Sequence, residues 1–179
     1  IRLSKGDRAI NASIIKGYEA TPSERLAYLK MSRAVRGDIE NVSDEIIEDE
    51  SSNLSEISEE KYASMGASEQ FILSVSQNGY GKRTSSYEYR VSGRGGKGII
   101  AMTVNNRNGH VATTFPVDED NQIILVTDGG QLIRCPINDI RIASRSTQGV
   151  TIFDIDGDEK VVSVERVGDL DDDPIEGDE

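Results

Sequence analysis

The basic residues in the middle of the chain fall at strand ends or in a glycine-rich loop: Lys82, Arg83, Arg90, Arg94, Lys97, Arg134, Arg141 and Arg145. Three of them recur at one spacing. A shift of 51 residues lays Arg83 on Arg134, Arg90 on Arg141 and Arg94 on Arg145. Guanidinium groups suit phosphate, because each offers planar, paired donors to two oxygens. A curved band of them neutralises a nucleic-acid backbone without reading bases, and its affinity falls steeply with salt. The competing reading is that these side chains solvate a rim and pair with acids, yet few acids lie within 71–117.

The elements that must position such a band follow from the same shift, which lays Phe71–Pro116 on Gln122–Val167 without a gap. Besides the arginines it matches Ile72 with Ile123, Val75 with Val126, Gly79 with Gly130, Gly98 with Gly149 and Val111 with Val162. Buried-type aliphatics and turn glycines are what a repeated β unit keeps. Alternation predicts strands at Phe71–Ser76, Tyr80–Thr84, Tyr87–Ser92, Ile99–Val104 and His110–Pro116, with a tight turn at Asn78-Gly79 and a loop at Gly93–Gly98. The second unit predicts strands at Gln122–Thr127, Gln131–Cys135, Ile140–Ala143, Val150–Asp154 and Lys160–Val167. About four strands per unit at even spacing reads as an all-β, propeller-like array of antiparallel blades occupying 71–167.

Outside the two units, Ile1–Ile15 reads as a hairpin ending a truncated blade, and the start at Ile1 reads as a fragment of something larger. Residues 16–70 break the period as an insertion. Its opening is helical: Thr21 caps, Pro22 fits the first helical position, Glu24 completes a capping box, and Leu26, Leu29, Met31 and Ala34 make an apolar stripe up to Gly37. Asp38–Glu60 is acidic enough to be partly disordered, with a short helix near Ser58–Ser64. Gly168–Glu179 reads as an acidic, disordered tail.

A chain of 179 residues, 36% hydrophobic, supports one ordinary core or a few repeat units. Its net charge of −12 argues against a nucleic-acid partner, but the total hides the distribution. The segments carry +2 (1–15), −7 (16–70), +5 (71–117), −5 (118–167) and −7 (168–179), so a basic module sits between acidic ones. Cys135 is the only cysteine, which excludes an intrachain disulfide and fits a reducing compartment. No run reaches the ~18 apolar residues of a membrane span, and no leader pattern opens the chain.

Other motifs carry less. Gly93–Gly98 fits G-x-G-x-x-G, but a β-like segment follows where a nucleotide fold needs a helix, and Ile99 replaces the P-loop hydroxyl. Asp154, Asp156, Asp158 and Glu165 occupy calcium-loop positions, yet Glu159 replaces the required glycine, so the loop reads as a solvated turn. One histidine, His110, and one cysteine cannot make a zinc set or a hydrolytic triad. Tyr80, Tyr87 and Tyr89 read as packing or stacking groups.

Four strings, Gln77–Thr84, Tyr89–Arg94, Ile124–Gly130 and Arg145–Val150, together resemble the C-terminal domain of the bacterial DNA gyrase A polypeptide, part of a type IIA DNA topoisomerase. The resemblance covers about 1–15 and 71–167. It implies a β-pinwheel of four-stranded blades that exchange strands with their neighbours and wrap duplex DNA on a basic outer rim, supporting ATP-dependent negative supercoiling. It further implies DNA contact by Lys82, Arg83, Arg90, Arg94, Lys97, Arg134, Arg141 and Arg145. Its implied partners are the rest of the gyrase A polypeptide and gyrase B, in an A2B2 assembly, and its implied setting is cytoplasmic and nucleoid-associated, without a membrane. The DNA-cleaving tyrosine lies in the family's N-terminal region, so no catalytic residue, metal or cofactor is expected here, ATP and Mg belonging to other regions. The family's basic-glycine box is not on this chain; Gly93–Gly98 resembles the equivalent loop of another blade. Insertion 16–70 is outside the common blade pattern. The alternatives are the homologous domain of topoisomerase IV, or a propeller-like protein-interaction module in which reversing Arg94 and Arg145 would leave DNA binding intact.

Overall fold

Asn78-Gly79 makes the turn its chemistry demands, with Gly79 at φ +76°, a left-handed conformation that costs glycine little. The structure, a computed structural model, describes residues 3–37, 57–93 and 98–168. The turn joins β1 (Phe71–Ser76) to β2 (Tyr80–Ser85), antiparallel from Phe71↔Ser85 to Val75↔Gly81. β3 (Val111–Val117) pairs with the other side of β1. The second unit repeats this with β4 (Gln122–Thr127) and β5 (Leu132–Pro136), whose register, Gln122↔Pro136 onward, is that of β1 and β2 advanced by 51.

The short β6 (Val150–Thr151) then leaves its own unit. It pairs with Tyr80 and Gly81 of β2. β7 (Val161–Val167) returns to β4. The sheets are ordered β3-β1-β2-β6 and β5-β4-β7, so the second unit donates a strand to the first blade. Leu73, Val75, Val117, Ile123, Leu125, Ile137, Ile140, Phe153, Val161 and Val164 form one core drawn from both blades.

The insertion builds a second core. Helix α1 (Pro22–Arg36) has both halves of the predicted capping box at Thr21 and Glu24, and ends at Gly37 with φ +75°. Helix α2 (Glu59–Ser68) is capped by Ser58. Tyr28 and Leu29 of α1 and Met65 of α2 pack on Tyr87, which lies in a single 3₁₀ turn at Ser86–Glu88. Tyr87 donates its hydroxyl to the Met65 carbonyl at 2.8 Å, so the insertion docks directly on the first blade. The face that packs differs from the predicted stripe: Tyr28, Leu29 and Ser32 are buried, while Met31 is 41% exposed.

Several predicted strands are absent. Tyr87–Ser92 becomes the 3₁₀ turn followed by irregular backbone, because Tyr87 is drawn into the helical core. Ile99–Val104 forms no strand, Ile140–Ala143 forms only the parallel bridge Arg83↔Ile142, and Val150–Asp154 shortens to two residues. Residues 3–15 contain no strand, so the predicted hairpin does not form. The match of Val111 with Val162 is also corrected: β3 and β7 lie 50 residues apart, and Val111 corresponds to Val161. One residue fewer between Gly149 and β7 explains the slip, which exchanges sheet faces; Val161 is 2% exposed and Val162 58%. The acidic part of the insertion at 38–56, Arg94 and Lys97 of the glycine loop, and the tail from 169 lie outside the described residues.

Candidate nucleic-acid interface

Two of the predicted rim cations are not on the surface. Lys82 is fully buried, and its Nζ donates to the carbonyls of Ser144 and Arg145, both at 2.6 Å, and of Thr147 at 2.9 Å. Such a cradle favours an ammonium, although burial pushes its pKa down to about 8. Arg83 is nearly as enclosed. Its Nε donates to the Ile140 carbonyl at 2.7 Å, and its guanidinium lies 5.8 Å from the centre of the Phe71 ring. Burial lowers its pKa, with Glu119 opposing the shift and Arg36 adding to it. The expectation of DNA contact is therefore corrected for Lys82 and Arg83: both side chains hold segment 140–147 of the second unit against β2.

Backbone bonds run the same seam. Arg83 donates to the Arg141 carbonyl at 2.9 Å, the Ala143 amide donates back to Arg83 at 2.8 Å, and Thr84 Oγ1 donates to the Ala143 carbonyl at 3.0 Å. With β6 beyond, the outer edge of β2 is covered from Tyr80 to Thr84 by the following unit. Gly149 makes the turn into β6 at φ +79°, and a Cβ there would lie 2.8 Å from the Gly81 carbonyl oxygen.

The other described candidates are accessible. Arg90, Arg134 and Arg141 are exposed, and Arg145 is half-buried, with its NH1 donating to the Ile100 carbonyl at 2.6 Å and its amide to Glu88 Oε2 at 2.7 Å. Arg83 and Arg134 thus occupy matching registers with opposite exposures. The reason is that β5 has no covering strand among the described residues, while β2 does.

Two arginines outside the predicted set join this region. Arg33 and Arg36 stand in the last turn of α1, and with Arg141 they line a cleft of about 200 Å³ between that turn, the end of β2 and residues 141–150. A charge sum taken over α1 alone would have found them. It holds four cations and one acid, which the acidic total for 16–70 conceals. Among the described residues no group of metal-ligating side chains assembles, and no helix is long and apolar enough to cross a membrane.

The model of the family described as DNA gyrase C-terminal domain, beta-propeller, matches residues 70–118 and 121–167. The chain is 44% identical over 173 residues to the DNA gyrase A polypeptide of Granulibacter bethesdensis, covering 92% of this chain but only 18% of that protein. Among solved structures it resembles a DNA gyrase A C-terminal domain, with TM-score 0.51, 26% identity, and coverage of 54% of this chain and 33% of that one. A crystal structure of the topoisomerase IV C-terminal domain shares the fold at TM-score 0.51 and 22% identity, over 55% of this chain and 31% of that one. The two sheets with their exchanged strand are what the matched family residues build, and the chain belongs to the DNA gyrase C-terminal domain family of β-propellers.

Proposed function

We propose that this chain wraps duplex DNA as part of a gyrase-type type II topoisomerase, holding phosphates with exposed arginines at the ends of successive blades. The observation that carries this reading is the division of labour among the cations. Lys82 and Arg83 lock the blades to each other, while Arg90, Arg134 and Arg141 remain at the surface. Bending a stiff duplex costs on the order of several kcal/mol, so the contacts that offset it must sit on a frame that does not yield. The buried inter-blade seam supplies that frame.

In this reading Arg94 and Lys97 add to the band, and the chain itself holds no cofactor and no catalytic residue. ATP hydrolysis, Mg and strand cleavage belong to other regions and to gyrase B, in an A2B2 assembly in the bacterial cytoplasm. The wrap gives the transported segment a fixed handedness, so that strand passage introduces negative supercoils. The name of the 44%-identical relative favours gyrase over topoisomerase IV. The test is topological: a plasmid is relaxed in the presence of the protein, then deproteinised and resolved by linking number. Trapped writhe of one sign is the expected result; an unshifted distribution would refute wrapping.

A further inference from the structure

We propose that the insertion positions the rim of the second unit for DNA, with Arg33 of α1 acting through Glu88 on Arg145, a phosphate contact of the band. Glu88 ends the 3₁₀ turn beside Tyr87, the residue on which the insertion docks. Its side chain is only 4% exposed, and its two carboxylate oxygens reach different parts of the fold. Oε1 accepts from Arg33 NH2 at 2.8 Å, and Oε2 accepts from the Arg145 amide at 2.7 Å. A carboxylate so enclosed needs a bonded opposite charge. Lys82 is within electrostatic reach, but its protons go to backbone carbonyls, so the cation bonded to Glu88 is the one the insertion brings. The rest of Arg145 is held from elsewhere: its carbonyl accepts from Lys82 at 2.6 Å, and its NH1 donates to the Ile100 carbonyl at 2.6 Å. The amide is thus the one point of Arg145 whose holder answers to α1.

The second unit supplies an internal comparison. Its 3₁₀ turn, Ile137–Asp139, is Ser86–Glu88 advanced by 51, and Asp139 stands where Glu88 stands. Asp139 is exposed, whereas Glu88 is enclosed. The turn therefore forms without an anchored carboxylate, and the anchoring of Glu88 is a separate feature. A helix C-terminus favours cations in any protein; that effect accounts for Arg33 on the last turn of α1, but not for its aim at a carboxylate of the blade. Arg33 is itself poorly placed to meet a phosphate, since its side chain is 13% exposed and its guanidinium is engaged by Glu88. Its effect on DNA runs through the rim. A guanidinium grips phosphate through paired, directional donors, and such a constellation must be held to within about 0.5 Å, so the backbone from which Arg145 projects has to be fixed.

This inference rests on the DNA-wrapping reading, and its test separates the two. In the full-length protein, Arg33→Gln, Arg145→Gln and the double variant are compared with wild type and with Arg134→Glu for duplex affinity across a salt series. Helix content and melting are recorded to verify folding. Arg33→Gln is expected to weaken binding roughly three- to tenfold and to lower the magnitude of the log–log salt slope by up to about 0.9, the share of one phosphate. In the Arg145→Gln background the same substitution should change neither, because residues acting through one another do not add. Arg33→Lys leaves Glu88 a counter-charge and so protects folding; it should lose less than Arg33→Gln, and nothing in that background. Exchange of the Arg145 amide should quicken in Arg33→Gln and stay unchanged in Arg134→Glu. Equal losses with Arg145 present or absent would mean that Arg33 meets DNA itself, and would overturn the relay, as would an Arg145 amide that exchanges at the wild-type rate. If Arg134→Glu weakens binding while Arg33→Gln alters melting alone, Arg33 is structural and the wrapping reading stands. If Arg134→Glu and Arg145→Gln also leave affinity unchanged, both fall.

Discussion

Lys82 shows how a cation on a strand can serve the frame instead of a ligand. Its ammonium has three protons, and three carbonyls of Ser144, Arg145 and Thr147 receive them. Lys82→Met keeps the volume and removes every donor. Leaving those acceptors unsatisfied costs about 1–3 kcal/mol each where water cannot enter, so a loss on the order of 2 kcal/mol or more is expected in denaturant unfolding at pH 7. The pH dependence has a definite sign. The folded-state pKa of about 8 lies below the ordinary 10.5. Below pH 8 the ammonium is charged in both states and its burial opposes folding in full. Between pH 8 and 10.5 the unfolded chain holds the proton that the folded chain has released, so this residue makes stability rise with pH. The stability difference between wild type and Lys82→Met, which cancels other titrating groups, should therefore grow in favour of wild type from pH 8 to 10; a flat difference would show that the carbonyl cradle holds the pKa near its ordinary value.

At the scale of elements, α1 depends on its own first turn. The Thr21 hydroxyl accepts from the Glu24 amide at 3.2 Å, and Glu24 Oε2 accepts from the Thr21 amide at 2.7 Å. Thr21→Ala should destabilise the helix by about 1 kcal/mol. Hydrogen exchange should quicken at the α1 amides and stay unchanged in β1 and β4; equal quickening in the sheets would mean that insertion and blades unfold as one unit. This helix was legible in the sequence because a capping box, a first-turn proline and a terminal glycine are local signals. The hairpins β1–β2 and β4–β5 were legible for the same reason, through Asn78-Gly79 and Gly129-Gly130. What escaped was whatever needed a partner. Segments 99–104 and 140–143 alternate as strands do, but a strand exists only where an edge receives it, and alternation does not name the edge. Lys82 and Arg83 were misplaced on the rim for a related reason: their acceptors lie 55 to 65 residues away.

Across the whole molecule, the two units have the same local chemistry in different company. Gly149 and Gly98 share a left-handed turn at φ +79° and +76°, yet a Cβ on Gly149 would strike the Gly81 carbonyl and one on Gly98 would meet nothing within 4 Å. β2 is sealed by the following unit, whereas among the described residues β5 has no covering strand, and its Leu132 is 67% exposed. An edge strand offers unpaired amides and carbonyls to any extended segment, and apolar side chains beside it make pairing favourable. Ile99 and Ile100 stand where Val150 and Thr151 stand in the unit that does donate a strand, so among the described residues a donor-type segment and an uncovered edge coexist on one chain. Contacts of that head-to-tail kind do not close and lead to open-ended association. The isolated chain should therefore associate with rising concentration, seen as a growing weight-average mass in sedimentation velocity. Leu132→Lys places a charge on the edge and should suppress the growth while leaving stability within about 0.5 kcal/mol of wild type. Association that persists unchanged in Leu132→Lys would assign it to another surface and leave the β5 edge without a role in it.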